Sequence, residues 1–369
     1  MGCAGSKNGD SKANRVARWK STGTVGMRDS ELKLPESTRP GKLKRMPPPD
    51  VPTTSLIVPS NNTSMQNCRG LKHANILLCL DVYSIVDQDS LKFIYEDFAS
   101  TLADVPKEKS VPERRVMFWK FTKRRRVIGM TSYLRNIVIG LVDAILYLSK
   151  RNVSHNKIGS FDNIVFSRDG IPMIHNFTHS SHGDGLGVSS DFNGIADMLD
   201  RILKACKMRK SDLNCELRSL LSLFRTFPEA TVDPPKIKEH PALKTAEERK
   251  NFVYAMRDAL KRKNECKNFN RYIWDNSKPQ PSLTNWIPVA SSKRCLKKGA
   301  GMPQYHCASP ASLVKFTRNT YQHINDNLKV PEYTDERLEK IFLKLFPNLY
   351  IEWWYYREKI DVGLLQYQC

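Results

Sequence analysis

Ser154-His155-Asn156-Lys157-Ile158-Gly159-Ser160-Phe161-Asp162-Asn163-Ile164-Val165-Phe166, continued by Ser167-Arg168-Asp169-Gly170 and Ile174-His175-Asn176-Phe177, is the stretch on which the fold turns. A loop led by His155 runs into the apolar strand Ile164-Val165-Phe166, and Asp169-Gly170 supplies a turn before Asn176-Phe177. Just upstream, Leu134, Ile137, Val138, Leu141, Ile145 and Leu148 recur at helical spacing behind Thr131-Ser132, which can cap the first turn. A long buried helix is expected there.

Further upstream, Asp81–Ile85 and Leu91–Tyr95 are short apolar runs split by Asp87-Gln88-Asp89-Ser90, the pattern of a strand hairpin. Downstream, helices are expected over Asp191–Cys206, Leu213–Phe224 and Ala246–Arg262, the last with Phe252, Met256, Ala259 and Leu260 on one stripe. Gly183-Asp184-Gly185-Leu186-Gly187 reads as a flexible loop. Residues 1–60 are rich in Ser, Lys, Arg and Pro without apolar periodicity, and read as a solvated basic tail. The expected organisation is α+β: a tail over 1–60, a first domain over 61–248 and an all-α domain over 249–369.

At 369 residues with 40% hydrophobic content, two domains can each bury a core. A formal charge of +21 points to polyanionic partners, RNA or acidic lipid headgroups. Nine scattered cysteines with no C-x-x-C pair fit free thiols in a reducing compartment, cytoplasmic or nuclear. No apolar run is read as spanning a bilayer. The opening Met-Gly-Cys-Ala-Gly-Ser fits an acylation pattern, with Gly2 the myristate acceptor and Cys3 placed for a second chain; a chance match is the competing reading. Residues 1–50 hold eleven Lys/Arg against five Asp/Glu, a second signal for a membrane surface. The basic run Lys120, Lys123, Arg124, Arg125 and Arg126, interleaved with Phe118, Trp119 and Phe121, reads equally as an RNA or lipid contact and as a solvated loop.

The order helix, His-led loop, Asn-Ile-Val strand, turn, Asn-Phe resembles the core of a protein kinase. His155 matches the opening His of the catalytic loop, Asn163 its metal-binding Asn, and Asn176-Phe177 the first two residues of the D-F-G motif. Asp191 resembles the structural Asp of the following helix, and His240-Pro241 the late His-Pro of the large lobe. The resemblance implies a kinase-like domain with a reduced small lobe, and one without phosphoryl transfer. Lys157 or, in the shifted register, Ile158 occupies the place of the proton-accepting carboxylate. Asn176 offers only an amide where Mg2+ needs an anionic oxygen, and Thr178 replaces the glycine. No Gly-rich phosphate loop precedes Leu71, so ATP and Mg2+ have no recognisable cradle.

The C-terminal part carries a different chemistry. Ser309-Pro310 opens an amphipathic helix with Leu313, Phe316, Thr320 and Ile324 on its apolar stripe. Asn319 and His323 are four apart and share a face, with Arg318 beside them. A guanidinium and an amide suit the charge that develops when a 2′-hydroxyl attacks its own phosphodiester, and an imidazole suits protonation of the leaving 5′-oxygen. His306-Cys307 has no further ligands at metal-binding spacing.

Arg318-Asn319 with His323, followed by Phe346-Pro347-Asn348-Leu349 and aromatics, resembles the kinase-extension nuclease family, that of ribonuclease L and the inositol-requiring kinase/endoribonucleases. The likeness covers about 65–369, without ankyrin repeats. It implies a metal-independent endoribonuclease, needing no cofactor for cleavage, that leaves a 2′,3′-cyclic phosphate and acts as a homodimer paired through the kinase-like domain. It also implies His323 as general acid, Arg318 and Asn319 on the scissile phosphate, and Tyr305 or Trp286 completing the site. Ser312 stands where ribonuclease L has an acidic residue, which implies a different positioning of the helix. Lys293-Arg294 and Lys297-Lys298 are placed to steer RNA. The alternative is a lipid-anchored, catalytically silent scaffold that binds RNA or a related nuclease.

Overall fold

The computed structural model describes residues 32–33, 53–59, 70–85, 90–104, 118–120, 127–177, 181–182, 185–227, 234–262, 264–276, 281–305, 309–326 and 333–366. Gly2, Cys3, Phe121, Lys123 to Arg126, Thr178, Gly183, Asp184, His306 and Cys307 lie outside them.

The fold is α+β. Its main sheet has four antiparallel strands in the order β1-β3-β4-β2, where β1 is Leu32–Lys33, β2 Thr53–Pro59, β3 Cys79–Ile85 and β4 Ser90–Glu96. The expected hairpin is β3 and β4, paired with a register shift between Cys79 and Asp81. The reading of 1–60 as wholly solvated is corrected by β1 and β2. Thr53-Thr54-Ser55-Leu56-Ile57-Val58 is mostly β-branched, so it fits a pleated surface, and it pairs with β4 along its whole length from Thr53↔Glu96 to Pro59↔Ser90.

β7 (Val127–Met130) pairs with β6 (Phe118–Lys120) and leads into α1, Ser132–Ser149, capped by Thr131 through its hydroxyl to the Leu134 amide. At 18 residues and a mean hydropathy of 1.3, α1 is long and apolar enough to cross a bilayer, which corrects the expectation that no such run exists. Its Leu134, Ile137, Val138, Leu141, Ile145 and Leu148 are instead covered by protein, each 0–1% exposed. Beyond it, β9 (Ile164–Phe166) lies between β5 (Ser100–Thr101) and β10 (Pro172–Ile174). α2 spans Gly185–Ala205, so Gly185 and Gly187 open a helix rather than a loop. A Cβ on Gly187 would lie 2.2 Å from Ser154 Oγ, so glycine here allows helix and β8 (Val153–Ser154) to touch.

After α3 (Cys215–Arg225) all regular structure among the described residues is helical. α4 is Ala246–Ala259, opened by a Thr245/Glu248 capping box; α5 is Glu265–Asn276; α6 Pro281–Thr284, α7 Trp286–Ser291 and α8 Arg294–Ala300 are short. α9 (Pro310–His323), α10 (Asp335–Leu345) and α11 (Leu349–Gln366) complete the chain.

Buried apolar side chains form two clusters, one built from Leu71 to Leu243, the other from Val253 to Tyr356. α11 belongs to both, since Ile351 and Trp354 pack in the first and Tyr350 and Trp353 in the second. Between them lies a buried ionic junction. The Arg249 guanidinium on α4, 3% exposed, donates to Glu216 of α3 at 2.8 Å, and its Nε lies 3.2 Å from Glu339 of α10. Arg135 of α1, 8% exposed, is near enough for its charge to act on all three, so two cations balance two carboxylates. Burial pushes Glu216 up to about 7, opposed by Arg249. His240 is fully buried against Trp354, ring centroids 4.8 Å apart. Burial, helped by Arg249, lowers its pKa to about 3.

Two outcomes follow. Arg249→Met leaves two carboxylates buried without their nearest cation, and the urea midpoint should report a loss of about 3–5 kcal/mol; a loss within error would show that the junction is not held by charge. Because folded His240 resists protonation while the unfolded chain takes up a proton below its usual 6.5, wild type loses stability as pH falls from about 6.5 towards 3. His240→Gln lacks that loss, so the stability gap between wild type and variant should narrow over this window; a constant gap would count against a neutral buried imidazole.

Candidate functional site

α9 positions the C-terminal group. Ser309 caps it, accepting from the Ser312 amide, and the Ser312 hydroxyl accepts from the Ser309 amide, so this short side chain completes a capping box usually closed by an acid. Leu313 and Phe316, 0% and 2% exposed, hold the inner face. Asn319 and His323, three and seven residues after Phe316, continue the same side of the helix outward, and with Phe316 itself they line a pocket of about 330 Å3 together with Tyr305, Lys298, Gln304 and Met302.

Three of the expected residues form one hydrogen-bonded chain. Asn319 Nδ2 donates to Tyr305 Oη at 2.7 Å, and Arg318 donates to Asn319 Oδ1 at 3.1 Å. The Arg318 guanidinium also lies 5.7 Å from the centre of the Tyr254 ring, which fixes its direction from α4. Burial raises the Tyr305 phenol above its usual value, against lowering by Asn319 and the nearby guanidinium groups, so at neutral pH it keeps its proton. The site therefore presents a phenol, an amide and a guanidinium, all suited to an anionic oxygen.

His323 is one turn beyond Asn319 and exposed. Its Nδ1 lies 2.6 Å from Asp326 Oδ2. Asp326 was missed, although its i+3 spacing from His323 is legible in the sequence. The carboxylate orients the ring and leaves Nε2 as the nitrogen available to a ligand.

Trp286 is placed differently from expectation. It is fully buried, stacked on Phe316 at 4.8 Å and edge-on to Tyr305 at 5.7 Å, and its Nε1–H donates to Ser312 Oγ and the Ser309 carbonyl. It is absent from the pocket lining, so it is a support for Tyr305 and the start of α9 rather than a contact for substrate. The reason is apolar area: a large ring with its one donor satisfied by the cap is best placed in a core.

The loop at 154–177 is closed on itself. Asp191 accepts from the backbone amides of His155 and Asn156 at 2.8 and 2.6 Å, and burial pushes its carboxyl up to about 7 against those bonds. The His155 ring is buried, with Nε2 2.8 Å from the His175 carbonyl and an edge contact to Phe177. Asn176, at φ +63°, donates to Asn163 Oδ1 at 2.9 Å, and Asn163 donates to the Lys157 carbonyl at 3.0 Å. Lys157 is exposed. The Asn176 side-chain oxygen is buried with no hydrogen-bond partner among the described residues, and no cluster of three His, Cys, Asp or Glu side chains with metal-binding geometry occurs among them.

No family model matches the chain. A stretch of 34 residues, 9% of the chain, is 56% identical to Plant intracellular Ras-group-related LRR protein 7 of Oryza sativa subsp. japonica and spans 13% of that protein. A likeness so short places the chain in no family.

Trp286→Phe removes a buried donor but keeps the ring. The expected loss is about 1 kcal/mol, seen as a thermal midpoint a few degrees lower; an unchanged midpoint would mean that the indole N–H does not secure the cap.

Proposed function

We propose that this chain is an endoribonuclease that cuts single-stranded RNA without a metal ion, leaving a 2′,3′-cyclic phosphate. The observation that carries this reading is that Tyr305, Asn319 and His323 line one pocket, with Arg318 held beside it, outside the lining, by its bond to Asn319. In the proposed reaction the 2′-oxygen displaces the 5′-oxygen from phosphorus, and the 2′-hydroxyl proton passes to water. The 5′-oxygen takes its proton from the His323 imidazolium, held by Asp326. Arg318, Asn319 and the neutral Tyr305 phenol donate to the charged phosphorane oxygens.

The proposal includes a kinase-like first domain without phosphoryl transfer. Its support is the amide pair Asn163–Asn176 and the exposed Lys157 where a carboxylate base and a metal-binding carboxylate are required. It includes a homodimer, paired through that domain, and a cytoplasmic, membrane-associated protein anchored through Gly2 and Cys3, whose local concentration at a surface favours pairing. The resemblance of 65–369 to kinase-extension nucleases supports these steps, and the silent scaffold is their competitor.

The test is cleavage of a labelled single-stranded RNA in EDTA across a protein concentration series. Wild type is expected to cut with a rate rising more than linearly with protein, with cyclic phosphate ends. His323→Ala should fall by about 10²–10⁴-fold, the usual weight of a general acid. Intact RNA throughout, with binding retained, would replace the nuclease with the scaffold.

A further inference from the structure

The most exposed large apolar side chain among the described residues is Trp274 on α5, 59% exposed. Nothing in the site above uses it. α5 is anchored by its other face, with Phe269 and Ile273 fully buried in the second core and Tyr272 packed on Tyr356 at 5.2 Å. Asn270 accepts from the Ala311 amide at 3.0 Å, so the same helix also abuts the start of α9.

Lys267 and Arg271 precede Trp274 by seven and three residues, which places all three on one stripe of α5. Both cations are exposed, and neither has an ion-pair partner among the described residues. At 1.5 Å per residue they stand about 6 Å apart along the axis, with Trp274 about 4.5 Å further on. Asp275 flanks the stripe and Glu265 is engaged by Tyr356 Oη.

We propose that Lys267, Arg271 and Trp274 form a docking strip for single-stranded RNA, a base stacking on the indole and the adjoining phosphates meeting the two cations. An exposed ring flanked by cations that have no ion-pair partner among the described residues is what sequence-tolerant binding of a single strand uses, and the formal charge of +21 favours a polyanion. A membrane is the poorer fit. Insertion needs an apolar face, and the helical neighbours of Trp274, the half-buried Asn270 and the exposed Arg271 and Asp275, are polar or charged. The strip stands apart from the pocket at Asn319, so binding here does not depend on the nuclease reading.

The experiment measures anisotropy of a fluorescein-labelled oligouridine on full-length His323→Ala protein in EDTA, which keeps the RNA intact whether or not the chain is a nuclease. Trp274→Ala should weaken binding about 5- to 100-fold, and Trp274→Phe should retain most of it. Lys267→Ala with Arg271→Ala should flatten the slope of log affinity against log salt by about 1.4, two phosphate contacts on a single strand. Circular dichroism checks that these surface variants fold. Affinity and slope equal to the parent's would overturn the proposal. So would unchanged RNA binding with lost flotation on phosphatidylserine vesicles, which would assign the strip to a membrane.

Discussion

Arg249 is the residue on which the arrangement of the two cores depends. Its guanidinium is buried between Glu216 of the first core and Glu339 of the second, with Arg135 supplying the second cation. A buried ion pair is a poor source of net stability compared with apolar packing, because both ions lose water. It is demanding about geometry, though: any displacement of α3 relative to α10 leaves a charge without its partner. Apolar contact is non-directional, and the junction adds a directional requirement to it. Around it, Lys250 meets Asp335 at 2.9 Å, Lys236 meets Glu358 at 3.0 Å, and Tyr355 Oη lies 2.9 Å from Ser219 Oγ. These half-buried or exposed contacts add little singly and follow the register that Arg249 sets.

The elements with strong local signals were legible. The apolar spacing of α1 and its Thr131 cap, the β3–β4 hairpin, and the apolar stripe of α4 all depend on residues close in sequence. What escaped reading depends on distant partners. Arg249 sits in Glu247-Glu248-Arg249-Lys250, which looks like a solvated charge run, and its partners are 33 residues before and 90 after it. β2 is short and bounded by Pro52 and Pro59, so its β-branched run looked like part of a tail until β4 was there to pair with it. Gly187 reads as flexibility in sequence and as close packing in space.

The candidate site divides in the same way. Arg318, Asn319 and His323 were found because helical spacing puts two of them on one face and the third beside them. Tyr305, outside the helix, was named from a resemblance, and its bond to Asn319 gives that naming a geometric content. Trp286 came from the same resemblance but took a core position, because its donor is satisfied by Ser309 and Ser312. The departure at Ser312 thus has a structural use: a hydroxyl both closes the cap and accepts the indole N–H.

α9 connects this chemistry to the junction. Tyr321 lies two residues beyond Asn319, about 200° round the helix, so it points away from the pocket into the second core. Its Oη lies 2.8 Å from Tyr350 Oη, and the Tyr350 ring lies 5.3 Å from the Arg249 guanidinium. Burial keeps both phenols protonated, so this link persists at any pH near neutrality. One end of α9 is therefore set by the Ser309–Ser312–Trp286 cap and the other by a tyrosine pair resting on the buried ion cluster. Rotating the helix enough to move Asn319 and His323 out of the pocket would break both, which is why an exposed group such as His323 can still be held in a defined place.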